Sequence, residues 1–226
     1  LEAAQQEDGS WSNRGWAPVL NSSMSNSALE LAQRVGRPVD PSVLYRSQNY
    51  QRQNVYADGS VRTEKAAGVP LYALSSTQRA TASAANTTRK ALADEMEQTR
   101  DTLSKALAVE ALEKKGYASE DASDMADDYM ANVTAARQVL TDEVQRGFGN
   151  NGGEEFLSHM LTSESLAALG GENWDNWYIS ASLHPKMSRV AYKTWIWNGS
   201  IMFLSMFRIH IVNIDASLFF FRIFFF

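Results

Sequence analysis

Three aspartates in DASDMADD, Asp121, Asp124 and Asp128, recur at spacings of three and four residues, which puts their carboxylates on one face of a helix. Such a row can hold Mg²⁺ and, through it, a diphosphate, because hard cations take carboxylate and phosphate oxygens together. A helix dipole also favours acidic side chains in the first turns, so a solvated helix face is the weightier reading and metal or catalytic work the lesser one. Glu155 and His159, four residues apart, can share a helix face and a metal. With no second ligand pair in the sequence, a partly exposed structural histidine is expected instead. His184, before Pro185, and His210, near the C-terminal end, take no role. Trp174 and Trp177, with Tyr178 beside the second, can line an apolar cavity or pack between helices, and burial of rings that large is first of all core formation. The glycine pairs in NNGGEE and ALGGEN lack the strand-then-helix setting and the Lys of a phosphate loop, and they read as helix punctuation. No metal site and no cofactor is assigned.

Composition narrows the chemistry further. The 226 residues suit one domain with a sizeable core or part of a repeat array. Apolar residues at 44% and charged residues at 21% are ordinary globular values, and the net charge of −5 gives no basic footprint for nucleic acid. The absence of cysteine removes disulfides, thiolate metal sites and a cysteine nucleophile. The sequence opens on Leu1 rather than Met, which is read as a truncated N-terminus and leaves the compartment open.

The elements that must position these residues read as helices joined by turns. DGS occurs at 8–10 and again at 58–60, where Asp can bond its own downstream backbone and Gly accepts positive φ. After the first, NSSMSNSALELAQRVG predicts a helix capped by Asn21 or Ser22, striped by Met24, Ala28, Leu31 and Val35 and ended by Gly36. Asp40-Pro41 then suits a helix start, with Val43, Leu44, Ser47, Tyr50 and Gln51 at helical spacing. Pro70 belongs in the first turn of the next helix, because a mid-helix proline costs about 3 kcal/mol. From about Thr88 the spacing predicts one helix carrying Leu92, Met96, Leu103, Leu107 and Leu112 to a stop at Gly116. Ser119 caps its partner, which carries Met125, Tyr129, Val133, Ala136, Leu140 and Val144. These two form an αα-hairpin, followed by a helix stopped at Gly170-Gly171 and another ending near Pro185. No period-2 strand pattern precedes residue 186, so the fold class is all-α.

QQEDGSW resembles the QW motif, Q-x-x-D-G-S-W, of squalene and terpene cyclases and their relatives. Gln5, Asp8, Gly9, Ser10 and Trp11 match each defined position, and Gln53, Asp58, Gly59 and Ser60 form a second copy with a longer gap and Val61 in place of Trp. Trp197–Ser200 is a fainter third echo. AAGVPLYALSSTQRA and GGEEFLSHMLTSESLAALGGENWDNW also resemble the prenyltransferase/squalene-oxidase-repeat proteins of environmental bacteria. The resemblance covers residues 1–185 and implies a partial α/α toroid of repeated helical hairpins, the fold shared by protein prenyltransferase β subunits. It implies that the motif is structural, Gln capping a neighbouring helix and Trp stacking on it, and that an apolar isoprenoid is the ligand to consider. The cyclases' catalytic D-x-D-D is missing, and the prenyltransferases' zinc needs a Cys that the chain lacks. The expectation is a cyclase-like repeat domain that scaffolds or binds, the alternative being an isoprenoid cyclase whose acid lies on a missing segment.

Residues 186–226 depart from this pattern. Eight of the ten phenylalanines fall after residue 200, and a slipped reading frame around residues 185–200 is the favoured explanation over a buried final element. A membrane helix needs about 20 apolar residues, and Arg208, His210, Asn213, Asp215 and Arg222 interrupt this stretch. That tail is the one stretch through which a membrane association could come.

Overall fold

Three helix starts in this chain are set by proline. In the computed structural model, which describes residues 1–11, 15–56, 58–94, 103–146, 154–170 and 172–183, three helices carry Pro at their first position. They are α1 (Pro18–Arg34), α2 (Pro41–Arg52) and α3 (Pro70–Ala91). Proline's fixed φ suits that place, and its missing N–H would have had no partner there. Asp40 caps α2 as expected, its carboxylate accepting from the Ser42 N–H at 2.9 Å. The cap of α1 is Ala17 rather than Asn21 or Ser22, which lie inside the helix, so proline placement outweighs the side-chain cap. Gly36 ends α1 at φ +79°, with the Arg37 N–H reaching back to the Ala32 carbonyl at 2.9 Å.

Downstream lie α4 (Lys105–Lys114), α5 (Ser119–Val139), the short α6 (Asp142–Arg146), α7 (Glu154–Leu169) and α8 (Glu172–Leu183). Two 3-10 turns, Glu2–Ala4 and Glu64–Ala66, complete the elements, and among the described residues the sole β feature is a bridge between Val55 and Val61. The fold is all-α. No described helix is long and apolar enough to cross a membrane. The chain divides into two compact units, Leu1–Asp175 and Asn176–Phe226. The described part of the second unit is the end of α8, with Trp177 fully buried and Tyr178 half-buried; Trp174, half-buried, belongs to the first unit.

Within the first unit α3 is the axis, packed by α1, α2, α5 and α7. It is buried nearly all round, from Leu71 through Gln78 and again at Ala80, Thr81, Ala82, Ala85 and Thr88. Its Ala, Ser and Thr side chains let four neighbours approach, and its hydroxyls turn back onto the helix, Thr81 Oγ1 donating to the Thr77 carbonyl at 2.7 Å. The apolar core is correspondingly small, Val19, Leu20, Tyr50, Tyr72 and Leu161 meeting where α1, α2, α3 and α7 converge.

Two expected stripes are displaced. On α1 the buried face is Val19, Ser22, Ser23, Asn26, Leu29 and Glu30, whereas Met24 and Val35 are exposed and Ala28 and Leu31 half-buried. The polar face turns inward because Glu30 meets Arg79 of α3, Nη1 to Oε2 at 2.6 Å, and Asn26 supports that carboxylate at 2.9 Å. Arg79 also holds Glu164 of α7 at 2.9 Å. The helix expected over 88–116 is not continuous: α3 already runs to Ala91, and Ser104, its hydroxyl accepting from the Leu107 N–H, caps a new helix. Leu92, Leu103 and Leu112 are buried there, Leu107 is half exposed, and Met96 lies outside the described residues. Gly116, at φ +95°, stops α4 as expected. On α5 the core is built by Ala122, Ala126, Tyr129, Ala135, Ala136 and Val139, and the helix ends before Val144. Its cap is Ala118, one residue before the Ser119 expected.

Candidate functional site

The two DGS turns share one hydrogen-bond pattern. In the first, the Gln6 N–H donates to the Ser10 carbonyl at 2.7 Å and the Gly9 N–H to the Gln6 carbonyl at 3.0 Å. Asp8 Oδ1 accepts from both the N–H and the hydroxyl of Ser10, at 3.0 and 2.6 Å. In the second, Tyr56 and Gly59 repeat the two backbone bonds at 2.9 Å each. Asp58 binds the N–H and hydroxyl of Ser60 at 2.8 and 2.7 Å. These Ser10 and Ser60 bonds hold the carboxyls of Asp8 and Asp58 below the usual range; at Asp8 burial, the largest influence, opposes them.

Each turn is seated on a helix further along the chain. Gly9, at φ +87°, lies so close to α2 that a Cβ there would stand 2.1 Å from the Arg46 carbonyl oxygen. Gly59, at φ +85°, faces Gln138 of α5, whose Nε2 would be 2.9 Å from an added Cβ. Gln5 donates to the carbonyls of Gly9 and Val43 at 3.1 and 2.8 Å and accepts from Arg46 Nε at 3.0 Å. It grips the side of α2 rather than capping a helix end. Trp11 is half-buried beside Leu29, Val43 and Leu44, its indole donating to the Leu1 carbonyl at 2.9 Å. Gln53, the matching glutamine of the second copy, lies exposed at the end of α2. Gln51 takes the interior role instead, donating to the Val19 carbonyl at 2.9 Å.

An open recess of about 330 Å³ lies beside the second turn, lined by Tyr50, Asn54, Tyr56, Arg62, Glu64 and Lys65, with Gln53 at its edge. The Arg62 guanidinium stands 4.3 Å from the Tyr56 ring centre, and Lys65 Nζ stands the same distance from that of Tyr50. Lys65, in the 3-10 turn that follows, also reaches Asp8 of the first turn at 3.4 Å. Tyr50 is buried, its hydroxyl has no hydrogen-bond partner, and burial, with the Asp8 charge adding to it, pushes it up to about 12. Sequence reading placed Tyr50 in the core and overlooked Tyr56, Arg62 and Lys65. Their signal was two cations three residues apart directly after a turn.

The acidic row meets another helix. Asp121 is exposed, but Asp124 and Asp128 face α2, where Arg52 lies 3.6 Å from Asp124 and 3.1 Å from Asp128. Tyr45 donates to Asp124 at 3.1 Å, and the Asn49 side chain accepts from Arg52. The row is therefore not the solvated face expected, since two of its three members clasp another helix. Burial, the largest influence, pushes Asp128 up to about 6; Arg52 opposes it, while Asp124 and Asp127 add to it. Glu155 and His159 share a face of α7, and both are buried rather than partly exposed. Among the described residues no group of three acidic or histidine side chains is placed to hold a metal. His184, His210 and the Trp197–Ser200 echo lie outside the described residues. Compared with known proteins, the chain matches no family model, no curated protein and no solved structure.

Proposed function

We propose that this chain is a squalene-cyclase-like repeat domain that works as a scaffold or binding module rather than as a catalyst. The observation that carries the reading is the repeated turn. Two segments 50 residues apart close with the same four bonds, each precedes a proline-started helix, and each is seated on a later helix. Repeats that interlock in this way stabilise one another through neighbour contacts and present surface for binding. The arrangement of the carboxylates also speaks for a module. A cyclising acid must stand protonated before an apolar cavity, and Asp124 and Asp128 instead clasp Arg52 and do not line the recess.

The test is turnover. Incubation with squalene, oxidosqualene or prenyl diphosphates, with and without Mg²⁺, is expected to give no product above the enzyme-free blank. Product formation that disappears in Asp124→Asn or Asp128→Asn would overturn the module reading and establish the cyclase alternative.

A further inference from the structure

We propose that α7 is a releasable strap, which undocks from α3 as one unit while α1, α2 and α3 stay folded. Such a release serves a scaffold, a binding module or an enzyme alike. The buried face of this helix is mostly polar. Leu161 and Leu166 are its apolar members, set among the hydroxyls of Ser158, Thr162 and Ser165, with Glu155 and His159 buried beside them. Apolar area taken from water is the main force that docks a helix, and two leucines supply little of it. Among the described elements α3 is the one that α7 packs against broadly. Ser165 fixes that contact by donating to the Gln78 carbonyl at 3.0 Å.

The other two hydroxyls of that face lack partners. Ser158 and Thr162 lie seven and three residues before Ser165, so they share its side of the helix. Both are fully buried, and neither hydroxyl has a hydrogen-bond partner among the described residues. Thr81 of α3 meets the same need by donating to the Thr77 carbonyl one turn back, at 2.7 Å. At the turn of α3 that Ser165 reaches, Gln78 is fully buried with both amide atoms unpartnered. A buried polar atom with no partner penalises the docked state, and water reaching it on release removes that penalty. Opposing release are the two leucines and the ion pair of Glu164 with Arg79 at 2.9 Å. Arg79 keeps Glu30 at 2.6 Å when Glu164 leaves, so the cation is not orphaned.

Native-state hydrogen exchange on the full chain, read amide by amide, tests the strap. The α7 amides should exchange together, about tenfold or more faster than those of Leu74 and Ala80 in α3. Thr162→Val keeps the shape and removes an orphan hydroxyl, so it should slow the α7 block about tenfold and leave α3 unchanged. Ser158→Ala removes a single oxygen and should act in the same direction. Glu164→Gln should speed the α7 block with little effect on α3, whereas a change in global stability would speed both alike. Exchange of α7 as slow as that of α3 would mean that the helix opens only with the rest of the fold, and would overturn the proposal. So would an α7 rate slowed by neither Thr162→Val nor Ser158→Ala, since the hydroxyls would then be satisfied where they stand.

Discussion

Replacing Asp128 with Asn should make the protein more stable near neutral pH although it removes one half of a 3.1 Å ion pair. The carboxyl is 7% exposed, and burial dominates its environment, lifting it from 3.8 to about 6 against the pull of Arg52. That displacement corresponds to about 3 kcal/mol of preference for the neutral form in the folded chain. Between the two values the folded state keeps a proton that the unfolded state has lost. The contribution of this group is therefore fully present below about pH 4, falls as pH rises, and is gone above about pH 6. Asn keeps the shape and cannot titrate, and Arg52 retains Asp124 at 3.6 Å and its bond to Asn49, so the guanidinium is not orphaned.

Urea unfolding of both proteins at about pH 4 and about pH 7.5 isolates the effect, because carboxylates away from Asp128 contribute equally in the two. The variant should match the parent at the lower pH and exceed it by up to about 3 kcal/mol at the higher. If the variant instead loses ground to the parent as pH rises through that window, attraction to Arg52 outweighs burial and the argument from desolvation is refuted.

Gly9→Ala should cost about 3 kcal/mol or more, positive φ adding to a backbone collision, whereas Gly59→Ala should cost about 1 kcal/mol because the Gln138 side chain can swing away. Equal losses in denaturant titrations would contradict the close seating of the first turn on α2. Met24→Gln and Val35→Gln should each change stability by less than about 0.5 kcal/mol, while Ser23→Leu on the inward face should cost about 1–3 kcal/mol. The reverse ranking would restore the sequence-based stripe. Arg79→Met should cost about 3–5 kcal/mol by thermal or chemical unfolding, since Glu30 and Glu164 would face each other without their cation. An effect near zero would mean that water reaches the triad.

Most of the helical character was legible because it is announced by residues with one conformational use. Pro41 and Pro70 start helices, Gly36 and Gly116 stop them, and Gly9 and Gly59 close the turns. The face of α2 was legible too, since Val43, Leu44 and Tyr50 are large enough to mark it. The facing of α1 and α5 was not, because periodicity weighs bulk and this interior is lined by Ala, Ser, Thr and Asn. A small polar residue reads as surface unless its partner is known, and the partners of Asn26 and Asn132 lie in the fold: Glu30 tied to Arg79, and the Gln78 carbonyl at 2.8 Å. The recess escaped notice for a similar reason. Its cations follow a turn, but of the tyrosines beneath them Tyr50 comes from the end of the preceding helix and Tyr56 from the turn itself.

That DGS is used twice has a mechanical explanation. Asp closes the turn on Ser, and the positive φ of Gly lets the backbone lie against another helix. Val61, which follows the second turn as Trp11 follows the first, packs against the core of Val19, Leu20, Tyr50 and Tyr72. Lys65 then ties the second turn back to Asp8 of the first, while its aliphatic stem brings the ammonium over Tyr50. The contact that links the two turns is thus also a wall of the recess. A change at Asp8 should therefore be felt both in the closure of the first turn and in the wall of the recess.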